Sequence, residues 1–167
     1  MSTEKTEPER IRTVRWQDPM IGARRATTMS GLEYMRSILK GEVSMAPIGL
    51  MLDIRLIEAE EGRIVLTVDP AEYHYNPIGS VHGGVISTLL DSAMGCAIHT
   101  LLPQGTGYST VDLHLNFVRP ITAATGTVRA EGKSIHLGKR FATAEGRVVD
   151  GDGKLYAHST TTCLILS

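Results

Sequence analysis

The stretch His82-Gly83-Gly84-Val85-Ile86-Ser87-Thr88-Leu89-Leu90-Asp91-Ser92-Ala93-Met94-Gly95-Cys96-Ala97-Ile98-His99-Thr100-Leu101 decides how this chain folds. Val85, Ile86, Leu89, Leu90, Ala93 and Ala97 recur at helical spacing and form one broad apolar stripe. Ser87, Asp91 and Gly95 fall on the opposite side, with Thr88 beside them. So few polar groups cannot make a water-facing side, and a helix that is apolar nearly all round has to be buried. Pro103 and Gly105 end it. The rest of the chain must therefore supply something that wraps a helix.

What surrounds this helix reads mainly as strand. Residues 48–58 alternate through Leu52, Ile54 and Leu56, and residues 64–68 through Ile64, Leu66 and Val68. Glu61-Gly62 lies between them, so the two form a hairpin. Residues 70–81 are a loop rich in Pro, Tyr, Asn and Gly. After the helix, residues 108–118 alternate strongly: Val111, Leu113, Leu115 and Phe117 point one way, and Thr110, Asp112, His114 and Asn116 the other. Pro120 stops this strand. Three more follow at 125–135, 140–149 and 154–166, with turns at Leu137-Gly138 and at Asp150-Gly151-Asp152-Gly153. The expected class is α+β, a curled antiparallel sheet around one long helix. The helix's second side and the sheet's polar face call for a partner, so a dimer is expected.

Before this body, residues 1–44 form an N-terminal arm and a short helix, and residues 45–167 the main domain. Residues 1–28 hold many charges and few apolar side chains, and read as a loosely ordered arm. Its Trp16 is expected to dock on the body or on a neighbouring subunit. Leu32, Met35, Ile38 and Leu39 mark a short amphipathic helix over 30–40, capped by Ser30 and stopped by Gly41.

Composition excludes several classes. The 167 residues carry a net charge of −1, so no global basic field argues for nucleic acid. No apolar run reaches the length of a membrane span, and Met1 to Arg15 has no apolar core of a secretory signal. A cytoplasmic protein is the expectation. Cys96 and Cys163 sit in apolar patterns and read as small core residues. The six histidines are scattered without ligand spacing, and no phosphate-binding loop or dinucleotide fingerprint occurs, so neither a metal nor a cofactor is expected.

The chemistry gathers at the start of the helix. His82-Gly83-Gly84 places backbone N–H groups at the positive end of the helix dipole, where an oxyanion is stabilised. Asp91, two turns further on, is a carboxylate on a buried helix, costly there unless paired or functional. Together they sketch a site able to cleave an acyl group, with Asp91 as nucleophile or as general base on a water. His82 either donates to the substrate carbonyl or, the favoured reading, braces the loop through backbone.

These motifs resemble the hotdog-fold acyl-CoA thioesterases of the PaaI-like type. The resemblance rests on Asn76, Gly79, His82-Gly83-Gly84 and Asp91, then on the run from Val111 to Pro120, then on the closing Ala157-His158-Ser159-Thr160-Thr161-Thr162. It covers roughly residues 45–166. It implies hydrolysis of an acyl- or aryl-acyl-CoA to free acid and CoA, at sites shared across a dimer that commonly assembles as a homotetramer. It also implies that Asp91 is the catalytic acidic residue and that the Gly83 N–H polarises the thioester carbonyl. Asn76 would orient the thioester or the attacking water. Thr110, or Ser109 if the register slips by one, would stand close to the acid. Coenzyme A, here part of the substrate, carries phosphates that need cations, and Arg119, Lys139 and Arg140 are the candidates. Two rival readings fare worse. A hotdog hydratase would carry an Asp-x-Asn-Pro-x-His loop, but His74 stands in place of the Asp and no His follows Pro77 at that spacing. A non-catalytic acyl-CoA-binding module would be expected to lack the acid or to carry a DNA-binding segment.

Overall fold

The computed structural model describes residues 9–166; the first eight residues of the expected arm, and Ser167, lie outside the described residues. The long helix, α4 (Gly83–His99), is the centre of the molecule. Leu89, Leu90, Ala93, Met94, Ala97 and Ile98 have no exposed surface. Met94 and Gly95 are buried as well, so burial extends beyond the stripe read from the sequence.

Six antiparallel strands curl around it: β1 (Arg55–Glu60), β2 (Arg63–Val68), β3 (Gly107–Phe117), β4 (Val128–Leu137), β5 (Phe141–Val149) and β6 (Leu155–Leu166). Their order in the sheet is β1-β2-β4-β5-β6-β3, which leaves β1 and β3 as the edges. The inner face lets the helix come close because small residues recur on it: Ala130, Ala142, Ala144 and Ala157 are all buried. At Gly132 the sheet and helix backbones nearly touch. A Cβ there would lie 2.3 Å from the Ala93 carbonyl carbon and oxygen. The outer face is charged. Arg63 spans Glu58 and Glu131 at 2.8 and 3.1 Å across β1, β2 and β4.

The short helix of the arm region is found as α2 (Gly31–Leu39), with Ser30 and Glu33 forming a reciprocal capping box. Two expectations are corrected. Residues 47–51 form a helix, α3 (Pro47–Met51), where a strand starting at 48 was expected. Pro47 at its first turn has the fixed φ a helix start favours and no strand donor to give. A further helix, α1 (Pro19–Ala26), lies in the arm read as loosely ordered; Asp18 caps it by accepting from Met20 N–H at 2.9 Å. Of the two docking places expected for Trp16, the body is removed, since the side chain is 58% exposed on it, and the neighbouring subunit stands.

The third correction bears on function. β3 pairs with β6 from Thr110↔Cys163 directly to Asp112↔Thr162, so Val111 is bulged out. The unbroken alternation of the sequence is broken in space. Thr110 and Tyr108 share the helix-facing side with Leu115 and Phe117, while Val111, expected beside them, is 55% exposed.

Candidate active site

The bulge is what brings a hydroxyl to the acid. Thr110 Oγ1 donates to Asp91 Oδ1 at 2.9 Å. Ser109, its neighbour, is exposed. Asp91 is half-buried on the face of α4 turned towards β3, and Cys163 Sγ lies 3.8 Å from the same Thr110 oxygen. Beyond Asp91 along α4 the surroundings become apolar. Burial pushes the Cys96 thiol up to about 11 and holds the Tyr108 phenol well above its usual range. Both cysteines are free, Cys163 buried and Cys96 partly so, and neither behaves as a thiolate nucleophile in such surroundings.

The start of α4 is built from backbone. His82 is its cap, with Nδ1 accepting from Gly84 N–H at 2.9 Å and the carbonyl accepting from Val85 N–H at 3.0 Å. Gly83 N–H, the first of the helix, has no acceptor among the described residues. The Phe117 ring lies over Gly83, 3.1 Å from where a Cβ would stand. The loop leading in is held by His74, a residue whose role the sequence did not signal. His74 Nδ1 accepts from Ala71 N–H at 3.1 Å, Nε2 lies 3.2 Å from Leu52 O, and its carbonyl accepts from His82 N–H at 2.7 Å. That pattern sets the tautomer with the proton on Nε2, and burial lowers the ring's pKa below the usual histidine value. From the arm, Arg12 pairs with Asp53 at 2.7 Å and stacks 4.1 Å from the Tyr73 ring, which clamps the same loop from outside.

Asn76 spends its side chain within this loop. Its Oδ1 accepts from Ile78 and Ser80 N–H at 3.0 and 3.2 Å, and its Nδ2 donates to Ser80 Oγ at 3.0 Å. It still lines an open cavity of about 320 Å³ at the start of α4, together with Gly83, Ile86, Phe117 and Arg119. Arg119 is steadied there by donating to Leu155 O at 2.5 Å. Lys139 and Arg140 are elsewhere. They stand exposed at the β4–β5 turn, where Arg140 O accepts from Ile165 N–H, and Ile165 pairs with Tyr108 at the opposite end of β3 from Arg119. The described residues thus form two groups along α4. Asn76, Gly83, His82 and Arg119 lie at the start of α4, and Asp91 and Thr110 meet midway along it.

A family model of the thioesterase superfamily matches residues 78–157, from the loop before α4 to the start of β6. A protein of Saccharolobus solfataricus named as an esterase is 31% identical over 69% of this chain and 80% of its own length. The chain belongs to the thioesterase superfamily. The 1,4-dihydroxy-2-naphthoyl-CoA hydrolase of Listeria monocytogenes is 26% identical over 68% of this chain and 91% of its own. A solved protein of Ralstonia eutropha, named as a thioesterase related to phenylacetic acid degradation, superposes with a TM-score of 0.71. It is 27% identical and covers 78% of this chain and 98% of that one. The curled sheet and its central helix are thus the hotdog fold, and this thioesterase is a thioester hydrolase. No helix among the described residues is long and apolar enough to cross a membrane.

Proposed function

We propose that this thioesterase hydrolyses an acyl- or aryl-acyl-CoA, with Asp91 as general base and the Gly83 N–H as oxyanion donor, in a site completed by a second copy of the chain. The observation that carries the reading is the 2.9 Å bond from Thr110 to Asp91. It fixes the carboxylate and leaves the hydroxyl's lone pairs to hold a water against it. Asp91 takes a proton from that water as its oxygen adds to the thioester carbonyl carbon. The carbonyl oxygen becomes an oxyanion held by a helix-start N–H. The intermediate collapses, the C–S bond breaks, and the leaving thiolate recovers the proton from Asp91.

Distance supports the shared site. Gly83 and Asp91 are eight residues apart in one helix, which separates them by about 12 Å. One carbonyl cannot sit within hydrogen-bond reach of the first and within reach of a water on the second. A second copy whose helix runs the other way would bring its Gly83 to this Asp91. β3 offers the place to join: an 11-residue edge strand carrying Val111 at 55% and Phe117 at 56% exposure. Unpaired edges of that length are normally covered. A dimer is the minimum unit in this reading, with a tetramer as its doubling. Arg119, next to Asn76 and Gly83, is the cation assigned to the CoA phosphates, and a cytoplasmic location goes with such a substrate.

The experiment is release of free thiol from a panel of acyl-CoAs. Asp91→Asn should keep the wild-type thermal midpoint and lose about 10²- to 10⁴-fold in turnover. A folded Asp91→Asn with near-wild-type rate would remove the aspartate from the mechanism.

A further inference from the structure

Asp53 carries backbone strain. Among the described residues it alone, outside the glycines, has its backbone in the left-handed region, with φ at 52°. A residue with a Cβ stays there only where its surroundings hold it. Both of its carboxylate oxygens are taken. Oδ1 pairs with Arg12 at 2.7 Å, and Oδ2 accepts from the Tyr73 hydroxyl. Arg12 does more than neutralise this acid. Its Nη1 donates to Met51 O at 2.5 Å, at the end of α3, and its guanidinium lies 4.1 Å from the centre of the Tyr73 ring. One side chain of the arm thus joins the end of α3, the strained turn and the loop before α4. Arg10 adds a second tie from the arm to the same loop, pairing with Glu72 at 2.6 Å.

This joint leads inward to the start of α4. Leu52, between Met51 and Asp53, supplies the carbonyl that His74 Nε2 meets at 3.2 Å. The His74 carbonyl accepts from His82 N–H at 2.7 Å, and His82 caps the helix that Gly83 opens. From Arg12 to Gly83 the path runs through Leu52, His74 and His82, with a hydrogen bond or a peptide bond at every step. Residue 12 lies outside residues 78–157, which the family model matches, so the strap is no part of what the chain shares there.

We propose that Arg12 is a positioning residue for hydrolysis: it straps the Asp53 turn and the loop before α4 to the end of α3, and that strap fixes where the Gly83 N–H points. The proposal rests on the acyl-CoA reading above. A donor that acts on the transition state costs turnover more than binding when it is displaced. A displacement of about 1 Å, caused far from the chemistry, costs up to about 10²-fold in rate. A partly exposed ion pair, by contrast, adds little to stability. Activity and stability therefore separate a positioning role from a merely structural one.

The test measures kcat, KM and thermal midpoint on Arg12→Ala, Tyr73→Ala, their double variant and Arg147→Ala. The substrate is whichever of butyryl-, octanoyl-, palmitoyl-, benzoyl- and phenylacetyl-CoA the wild type cleaves fastest. Arg147 pairs with Glu131 at 3.4 Å on the outer face of the sheet, and its removal should leave kcat unchanged. Arg12→Ala should lower kcat about tenfold or more, with a smaller change in KM and a midpoint lower by no more than roughly 2–4 °C. The double variant should be no worse than the worse single one, because both substitutions open the same strap. Arg12→Gln serves should Arg12→Ala not fold, and the same direction is expected. Hydrogen exchange reads the strap without substrate: Arg12→Ala should speed exchange across residues 72–85 and leave β5 and β6 as in wild type. A folded Arg12→Ala or Arg12→Gln with wild-type kcat overturns the proposal. So does a loss that Arg147→Ala matches, a loss that adds in full to that of Tyr73→Ala, or unchanged exchange across 72–85. A wild-type protein that releases no thiol from any of the five overturns the acyl-CoA reading, and the role in turnover falls with it. The exchange measurement then still decides whether the arm holds the loop.

Discussion

His82 and Gly83 are adjacent, yet they hold α4 by different means, and substitution separates them. His82 acts as a cap: its Nδ1 takes the Gly84 N–H, its carbonyl takes the Val85 N–H, and its own N–H is tied to His74. His82→Ala removes only the side-chain bond, which costs about 1 kcal/mol for a helix cap and lowers the thermal midpoint by roughly 2–4 °C in a chain of this size. Turnover should fall only modestly. Gly83 contributes its backbone N–H, so no truncation can delete the group. Adding a side chain can obstruct it, because the Phe117 ring already stands 3.1 Å from the position of a Cβ. Gly83→Val should therefore lower kcat by about 10²-fold, the scale of losing one oxyanion donor, with a smaller change in KM. Thermal midpoint and kcat measured on both variants distinguish the two roles. An unchanged kcat in a folded Gly83→Val places the oxyanion site elsewhere, and a folded His82→Ala as inactive as Asp91→Asn makes the histidine more than a cap.

The packing of α4 into the sheet depends on glycines whose tolerance differs with what they face. A Cβ at Gly132 would meet helix backbone: the Ala93 carbonyl at 2.3 Å and Met94 N at 2.6 Å. Backbone cannot swing aside, so Gly132→Ala must push helix and strand apart, and it should cost about 3 kcal/mol or more. At Gly146 the nearest atom is Met94 Cγ at 2.9 Å, part of a flexible side chain that can take another rotamer. Gly146→Ala should cost clearly less. Urea unfolding of the two variants gives the comparison; equal losses would mean that the helix can shift against β4 at little cost. The same elements explain what the sequence disclosed. α4 was legible because its apolar residues recur at 3.6-residue spacing over several turns, and β4, β5 and β6 because turns rich in glycine separate alternating runs. α3 was not, because five residues are too few for helical spacing to show and Ile48, Leu50 and Leu52 happen to alternate like a strand. α1 had its cap and its proline, but few apolar residues to mark a face. The bulge in β3 left no trace at all. The alternation runs unbroken through Val111, and only the pairing with β6 exposes the extra residue. Thr110 is legible only through the family resemblance.

At the scale of the whole molecule the question is whether one chain holds one site or two halves of different sites. Asn76, Gly83 and Arg119 share a cavity that Asp91 and Thr110 do not enter, and the helix spacing keeps Gly83 and Asp91 about 12 Å apart. If a second copy completes each site, two inactive variants can rescue each other. In a dimer of one Asp91→Asn chain and one Gly83→Val chain, one site collects both defects and the other collects neither. When the two variants are co-expressed in equal amounts and assemble at random, half of the dimers are mixed and half of their sites are intact, so activity should recover to about a quarter of wild type. If each chain carried a complete site, every site in the mixture would be defective and no activity would return. Light scattering fixes the assembly on which the argument depends, with a mass that is a multiple of the 18.1 kDa chain expected. Differently tagged copies allow the mixed dimer to be isolated. Isolation removes the statistical dilution, and the pure mixed dimer should then show about half of wild-type turnover, a value no arrangement with one self-contained site per chain can produce.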